Sequence, residues 1–414
     1  MAFRSLRLVK PQQPCGCLSM KKDSSMFHPN LSEGGFLPSG PKRRYSNSPS
    51  LITPLAEAKR FMKDCFLAVG ASADNAETVA TNLLEADYRG HYSHGMNRLD
   101  MYIRDIQHGT TDATVSPVTL NETVATAHLD GRNGLGAVVG KRAMEIAISK
   151  AKDVGIGLVV AKGSNHYGIA GMYALQAIEQ GLIGLSVTNT SPLMTPTRAK
   201  QATLGTNPLS LGAPGRKGDN FVLDMATTAV ALGKIEIAKR KGEPIPEGWA
   251  LNDAGIPESN PSIAYKYAKL MPLGGTEVNS GYKGYGLGML VEIFCGILSG
   301  SSYGPHVRRW GTSHAVANLG QAFMAINPAV FAPGFEDRLQ DLMTYLREME
   351  PVDSGKPVLV HGDKEKAHME KVHAEGGLRY VPNQHKTNAI LAEELKIAQM
   401  ASETVTLSTD EHVD

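Results

Sequence analysis

Two histidines, an arginine and a tyrosine in this sequence could together act on a small carboxylic acid. His94, Arg98 and Tyr102 follow one another at intervals of four residues, which on a helix would place them on one face. A histidine can exchange a proton near neutral pH, and an arginine can bind a carboxylate through two parallel hydrogen bonds. The set could therefore hold a 2-oxo acid and protonate its carbonyl group. A solvated helix face with an incidental histidine would show the same spacing.

The second histidine, His166, lies in the segment GSNHYG at 163–168, directly after the apolar run at 156–160. Polar residues that leave a buried strand lie at the edge where open α/β sheets usually place their sites. His166 could therefore be a general base, or it could simply cap the next helix.

Three further segments could contact the phosphates or the ribose of a ligand. TNTSP at 188–192 and GTNP at 205–208 offer hydroxyls and backbone donors, although turns rich in Asn and Pro have the same composition. GYKGYG at 281–286 places Lys283 between glycines, just before an apolar helix. GLGAVVG at 134–140 resembles a dinucleotide fingerprint, but its third glycine is displaced and no clear acidic partner follows, so we interpret it as a packing turn before a helix.

The elements that must position these groups change in character along the chain. Apolar residues at helical spacing predict helices that begin near Thr53, at 72–87 and at 93–108. Strands are then predicted at 123–129, 157–160, 183–188 and 220–223, and helices between them at 141–154 and 170–180. A strand after residue 318, a helix at 337–348, a short apolar segment at 358–360 and a helix at 388–399 complete the pattern. This alternation predicts an α/β fold with a mixed sheet.

The same pattern divides the chain into four parts. Residues 1–50 are rich in Ser, Pro and basic residues, and are either a flexible extension or a mitochondrial transit peptide. We expect a helical part at 51–130, an α/β core at 131–350, and a C-terminal segment at 351–414 that returns to the helical part.

Composition excludes several classes of function. The 414 residues include 42 Lys and Arg against 41 Asp and Glu, so no strongly basic surface for nucleic acid is indicated. The four cysteines are too few for a disulfide framework, and Cys15 and Cys17 lack a second ligand pair for a metal, which favours a reducing compartment such as the cytoplasm. The most apolar stretch, at 286–300, is too short to span a bilayer and contains Glu292, so a buried helix is predicted there.

Taken together, these segments resemble the type-2 malate/L-lactate dehydrogenase family, which also holds ureidoglycolate dehydrogenases and 2,3-diketogulonate reductases. The resemblance runs from about residue 55 to 399. It rests on the ordered blocks SHGMNRLDMY, HLDGRNGLG, GSNHYGIAGMYA, TNTSPLMTP, LGTNPLSLGAPG, FVLDMATT, GYKGYGLGMLVEI and ANLGQAFMAINP. The family implies a large mixed sheet with flanking helices, a smaller helical region on the substrate side, and an NAD(P) site that is not of the Rossmann type.

The resemblance also implies roles for individual residues. His94 and His166 would be the acid/base pair, with the proton carried either by His94 or by His166 while His94 orients the substrate. The substrate would contact Ser93, Arg98 and Tyr102. Cofactor contacts would fall on Thr190, Ser191, Asp224, Met225, Ala226, Lys283, His361, Gly362 and Asp363. The chain departs from many relatives at 361–363, where they have Pro-Gly-Glu, and at 197–199, where they have an aromatic residue and paired glycines.

The sequence therefore predicts an NAD- or NADP-dependent dehydrogenase of a small 2-hydroxy or 2-oxo acid, with malate or L-lactate as the leading substrates. A ureidoglycolate, a diketo sugar acid or a cyclic imine acid are the alternative substrates. A cofactor-binding protein without catalysis is the alternative from another class. The resemblance implies a homodimer, and we expect no nucleic-acid, membrane or metal partner.

Overall fold

The computed structural model describes residues 50–309, 311–312 and 314–405, so the N-terminal extension and the Cys15–Cys17 pair lie outside the described residues. The α-helices are α1 Leu55–Ala68, α2 Ala73–Tyr88, α3 Leu99–Gln107, α4 Gly136–Val154, α5 Gly171–Ile178, α6 Leu232–Lys241, α7 Pro261–Tyr267, α8 Gly281–Glu292, α9 Phe335–Arg347, α10 Asp363–Glu375 and α11 Pro382–Leu395. The strands are β1 Ser50–Thr53, β2 Val118–Glu122, β3 Thr126–Asp130, β4 Ile156–Ser164, β5 Ile183–Thr188, β6 Leu209–Ala213, β7 Phe221–Met225, β8 Ala250–Leu251, β9 Lys269–Leu270, β10 Leu319–Ile326, β11 Leu378–Arg379 and β12 Glu403–Val405.

Seven strands form the central sheet in the order β2-β3-β4-β10-β5-β6-β7. Within it only β3 and β4 run parallel, and every other neighbouring pair is antiparallel. The predicted α/β class with a large mixed sheet is thus confirmed. A standard dinucleotide-binding fold is built on a mostly parallel sheet, so this sheet is of another type.

Both faces of the central sheet are covered by helices. On one face α4 and α5 bury Met144 and Tyr173 against Phe323 of β10. On the other face the segment that follows α8 buries Cys295 against Ala322 of β10. Covering both faces explains why β4 and β10 read as nearly continuous apolar runs in the sequence.

A second, largely helical layer contains both described ends of the chain. Helices α1, α2 and α3 bury Phe61, Leu83 and Ile103 in one cluster, to which α11 contributes Leu391. Strand β1 lies between β11 and β12 in a three-stranded antiparallel sheet. A small subdomain of α6, α7, β8 and β9 has its own core around Ile235. No helix in the described part of the chain is both long and apolar enough to cross a membrane.

Two of the predicted helices were wrong in part. The helix expected at 93–108 begins only at Leu99, after a short 3-10 turn at Met96–Arg98. The apolar helix expected to be buried continues from α8 into a π-helical turn at Ile293–Ile297, and Ile293 and Ile297 are 52% and 54% exposed. Apolar composition alone does not show which face of a helix is buried by other parts of its own chain and which face is left exposed. The segment at 358–360 is also neither helix nor strand.

Candidate active site

The turn that carries His94 is held by a buried carboxylate. Asp87, near the end of α2, accepts hydrogen bonds from the backbone amide of Met96 at 2.9 Å and from the hydroxyl of Tyr380 at 2.7 Å. A Cβ atom at Gly95 would lie only 1.9 Å from the Asp87 carboxylate, so residue 95 must be glycine. The Met96 amide would bond within the helix if the helix began earlier, but here it donates to Asp87. His94 and Arg98 therefore lie on a turn and not on a helix face.

His166 lies on the loop between β4 and α5, which is packed tightly against neighbouring backbone. Its backbone amide donates to the side-chain oxygen of Asn165 at 2.8 Å. The backbone carbonyl of Asn165 accepts from the side-chain amide of Gln321 at 2.9 Å. A Cβ atom at Gly136, the first residue of α4, would meet the backbone oxygens of Asn165 and His166 at 2.3 Å. The GLGAVVG run therefore serves as a close-packed helix start, as interpreted from the sequence.

These two segments meet at one cavity of about 210 Å³. Its wall includes His94, Arg98 and His166, and the two imidazole rings stack with centroids 5.5 Å apart and planes inclined by 27°. The Nε atom of Arg98 donates to the Ser93 carbonyl at 2.6 Å, which fixes the guanidinium plane at the cavity wall. The hydroxyl of Ser93 lies 2.8 Å from Nδ1 of His94. Three polar groups far apart in sequence are thus brought together.

Tyr102 lies directly beside His166. Its hydroxyl lies 2.5 Å from Nδ1 of His166, and it is not among the residues that line the cavity. The amide of Gly168 also donates to this ring nitrogen, at 3.3 Å. With Nδ1 engaged on the protein side, Nε2 is the nitrogen through which the ring would exchange a proton with a ligand. Tyr102 therefore contacts His166, and its contact with the substrate stays a prediction.

Burial changes the proton affinity of both histidines. Burial, together with the charges of Arg98 and His91, lowers the pKa of His94 to about 3. Burial is also the main reason that the pKa of His166 lies well below its usual value, and the charges of His94, Arg98 and Arg308 lower it further. Both rings are consequently neutral at physiological pH in the absence of a ligand. A bound carboxylate would favour the imidazolium form, because an opposite charge nearby raises the pKa of a histidine.

Thr190 and Ser191 line the same cavity and are held by a network around Glu292, a buried residue of α8. The Glu292 carboxylate accepts from the side-chain amide of Asn207 at 2.8 Å, from that of Asn189 at 3.3 Å, and from the amide of Gly304 at 2.5 Å. The Asn207 side-chain oxygen in turn accepts from the amide of Thr190 at 3.1 Å.

A second cavity of about 150 Å³ lies beyond Gly168 and Ile169. Gly168 lines the first cavity, whereas Ile169 and Gly171 line the second, so one loop borders both. Asp224 at the end of β7 accepts from the amide of Gly171 at 2.6 Å, and burial raises its pKa to about 7. Gly362 faces this cavity with a φ of 105°, a conformation that favours glycine.

The remaining expected cofactor residues are spread around these cavities. Met225 and Ala226 follow Asp224 at the end of β7, but neither lines a described cavity. The carbonyl of His361 accepts from the amide of Val222, which ties the 361–363 segment to β7. The Asp363 carboxylate forms an ion pair with Arg347 at 2.8 Å, so it is used within the fold. Lys283 is exposed in the first turn of α8, away from the lining of both cavities.

Sequence reasoning missed several residues that shape the site. Asp87 and Asn207 are buried polar side chains with partners distant in sequence, and a pattern of spacing cannot reveal such partners. Glu292 was the one visible signal, since an acidic residue within a long apolar run requires buried donors. Arg308 and Asp105 form a nearly buried ion pair beside Asn165 that no motif indicated. Within the described residues there is no cluster of three or more potential metal ligands.

A mixed sheet that brings a pair of neutral imidazoles and an arginine to one cavity has the features of an oxidoreductase that acts on an alcohol bearing a carboxylate. Comparison with known proteins agrees with this class. The family model described as malate/L-lactate dehydrogenase matches residues 53–387. The chain therefore belongs to the malate/L-lactate dehydrogenase family, and it is an NAD(P)-dependent dehydrogenase of 2-hydroxy acids.

Individual relatives differ in substrate. Malate dehydrogenase of Pyrococcus abyssi is 42% identical over 314 residues, covering 75% of this chain and 86% of the relative. Ureidoglycolate dehydrogenase (NAD(+)) of Escherichia coli K12 is 33% identical over 311 residues, covering 74% and 86%. The solved structure of sulfolactate dehydrogenase from Methanocaldococcus jannaschii superposes with a TM-score of 0.77 at 35% identity, covering 84% of this chain and 98% of that one.

Proposed function

We propose that the protein oxidises malate, and reduces oxaloacetate, with a nicotinamide cofactor. The observation that carries the proposal is the convergence of His94, His166 and Arg98 on one cavity. Similarity to a relative named malate dehydrogenase supports malate over L-lactate, ureidoglycolate, diketo sugar acids and cyclic imine acids. The intact set of three polar side chains argues against a cofactor-binding protein without catalysis.

In the proposed mechanism the guanidinium of Arg98 binds the C1 carboxylate, and Nε2 of His166 exchanges the proton of the C2 hydroxyl. The Gly168 amide donates to Nδ1, so the neutral His166 ring holds its proton on Nε2. For Nε2 to act as the base, that proton must move to Nδ1, where the Tyr102 hydroxyl can accept from it. The stacked His94 ring limits how His166 can turn and helps to orient the substrate. Accepting the hydride from C2 is the chemistry that the cofactor supplies when bound.

We propose that the cofactor spans the two cavities, with its nicotinamide ring next to His166 and its other half beside Asp224. The residues present fit such a ligand. The Asp224 carboxylate is an acceptor suited to ribose hydroxyls, and Gly362 leaves room for close approach. Arg89 and Lys366 also line the second cavity, where Arg89 is paired with Glu85 and Lys366 with Asp219. Thr190 and Ser191 would contact the nicotinamide half, whereas Lys283 would need a different position to take part.

A paired assay tests the function directly. Oxaloacetate and pyruvate are each reduced with NADH and with NADPH, and turnover is followed by nicotinamide absorbance. We expect oxaloacetate to be the better substrate. His166→Gln should lower kcat by at least about 100-fold while cofactor binding and the melting temperature are retained. His306→Gln, on an exposed turn outside the cavity, is the control. If His166→Gln and His94→Gln both remained fully active, this mechanism would be refuted.

We further propose that two copies of the chain associate through α8 and the π-helical turn that follows it. Leu290, Ile293 and Ile297 are 43%, 52% and 54% exposed, and a row of apolar residues on one helix face is unusual for a surface exposed to water. A homodimer would bury this row. Ile293→Glu should convert a dimer to a monomer in sedimentation velocity, and a monomeric wild-type protein would contradict the proposal.

A further inference from the structure

A further, small cavity that also borders His166 contains two arginines that the mechanism above does not use. Its volume is about 30 Å³, and it is lined by Arg308, Arg309 and Thr312 on one side. A water molecule needs roughly 10–15 Å³ of such space, so the cavity has room for two small polar atoms. That is the size of the two oxygens of a carboxylate.

The small cavity and the larger one share part of their lining. His166, Thr190, Ser191 and Leu319 line both. A substrate whose reacting carbon lies next to His166 could therefore extend in two directions. One end would lie near Arg98 in the larger cavity, and the other end would point toward Arg309.

Within the part of the chain that the structure describes, the ion pairs of the small cavity involve Arg308 and not Arg309. Arg308 forms an ion pair with Asp105 at 2.5 Å, and the two side chains are only 11% and 3% exposed. Arg308 also donates to the side-chain oxygen of Asn165 at 3.3 Å, the same atom that accepts from the amide of His166. Among the described residues no carboxylate lies within ion-pair distance of the exposed Arg309.

The larger cavity already holds a carboxylate, which disfavours a second negative charge there. Glu236 of α6 lines this cavity, where its carboxylate is paired with Arg240 and acts on Arg98. A substrate tail that carried an anionic group would be repelled from this cavity and attracted to the small one. A neutral tail with N–H donors would instead find an acceptor in Glu236.

From this arrangement we infer that Arg309 binds a second anionic group at the distal end of the substrate, and that the enzyme therefore selects dianionic 2-oxo acids over monoanionic ones. Arg308 helps to fix the loop beside Asn165 and adds positive potential. The inference rests on the proposed function, because it assigns the far end of the substrate bound at Arg98.

The test compares two substrates in one variant. Arg309→Gln should lower kcat/KM for oxaloacetate by about 10- to 100-fold, the range expected for losing a charged hydrogen bond, and should change kcat/KM for pyruvate by less than about threefold. Arg309→Lys should restore most of the preference. Arg142→Gln, which removes an exposed arginine of α4, is the matched control. Arg308 is a poor choice for the test because its loss would strand Asp105 in the interior.

Binding measurements separate the possible failures. Calorimetric titration of malate and of lactate into the protein saturated with cofactor should show a weaker malate affinity in Arg309→Gln and an unchanged lactate affinity. Equal losses for both acids, or no loss for malate, would overturn the inference while leaving the dehydrogenase function intact. If the wild-type protein preferred a substrate with a ureido tail and Glu236→Gln removed that preference, the distal end of the substrate would lie at Glu236. That result would overturn the inference. A wild-type protein that binds and reduces no 2-oxo acid would overturn both proposals.

Discussion

The carboxylate of Glu292 offers a sharp test of how the fold supports the site, through the single substitution Glu292→Gln. The carboxylate receives three hydrogen bonds, from Asn189, Asn207 and the amide of Gly304. A glutamine would place its NH2 group, which is itself a donor, against at least one of these donors. Asn207 cannot turn its own amide to compensate, because its nitrogen also donates to the Gly288 carbonyl at 3.0 Å and its oxygen accepts from the Thr190 amide.

The expected cost follows from these contacts. A hydrogen bond to a charged group contributes about 1.5–3 kcal/mol, and a buried donor left without a partner costs about 1–3 kcal/mol. We therefore expect Glu292→Gln to lower the free energy of unfolding by about 2–4 kcal/mol. For a chain of this size such a loss corresponds to a decrease in melting temperature of about 2–5 °C. Since Asn207, which binds the Thr190 amide, loses its own carboxylate partner, the KM for the cofactor should rise about tenfold.

Thermal melting followed by circular dichroism and steady-state kinetics with varied cofactor would measure both effects. Glu145→Gln is the matched control, because Glu145 lies on α4 with its side chain 40% exposed and pairs only with Arg142 at 3.5 Å. A variant of Glu292 that melts within about 1 °C of the wild type and keeps its KM would refute the reasoning that this carboxylate anchors the Thr190 segment.

Three more substitutions probe the two histidine segments. Tyr102→Phe removes the hydroxyl on Nδ1 of His166, and should lower kcat by about 10- to 100-fold and shift the pH profile of kcat with little change in melting temperature; an unchanged pH profile would argue against its role. Burial raises the pKa of Asp87 to about 7, so its contribution to stability is fully present below about pH 3.8 and is lost as the pH rises through 7. Asp87→Asn should therefore flatten the dependence of melting temperature on pH between about 4 and 7, and an equally steep dependence would contradict this. Gly168 has a φ of 81°, and a Cβ atom there would lie 1.9 Å from the side-chain oxygen of Asn82. Gly168→Ala should destabilise the fold by at least about 1 kcal/mol and abolish activity, whereas a stable and active variant would show that the loop can move.

Local patterns were sufficient for most of the elements. Strand β5 was predicted at the residues where it occurs, because its apolar run is bounded by a glycine on one side and a polar turn on the other. The helix at 93–108 failed at its start because Asp87, which lies on another helix, takes the amide of Met96. The exposed face of α8 was missed since hydrophobic content does not distinguish a face covered by the same chain from one that is not.

In the candidate site, too, local residue types could be predicted and contacts between distant residues could not. His94, Arg98 and His166 could be selected because their residue types suit the chemistry, and the family resemblance linked them. No pattern in the sequence shows that Tyr102 contacts His166, because that contact joins residues 64 positions apart. Arg309 lies in a loop with no periodicity or motif, so only its position beside His166 in the structure makes it noticeable.

The first and last strands of the described chain are neighbours, because β1 pairs with β12. Ser50 and Val405 are register partners in this sheet, so their backbones lie about 5 Å apart. A short peptide could join these two positions, and new termini could be opened in the exposed segment around Gly355. The order in which the elements are synthesised would then change while their neighbours in space remained the same. The molecule is accordingly a good candidate for circular permutation.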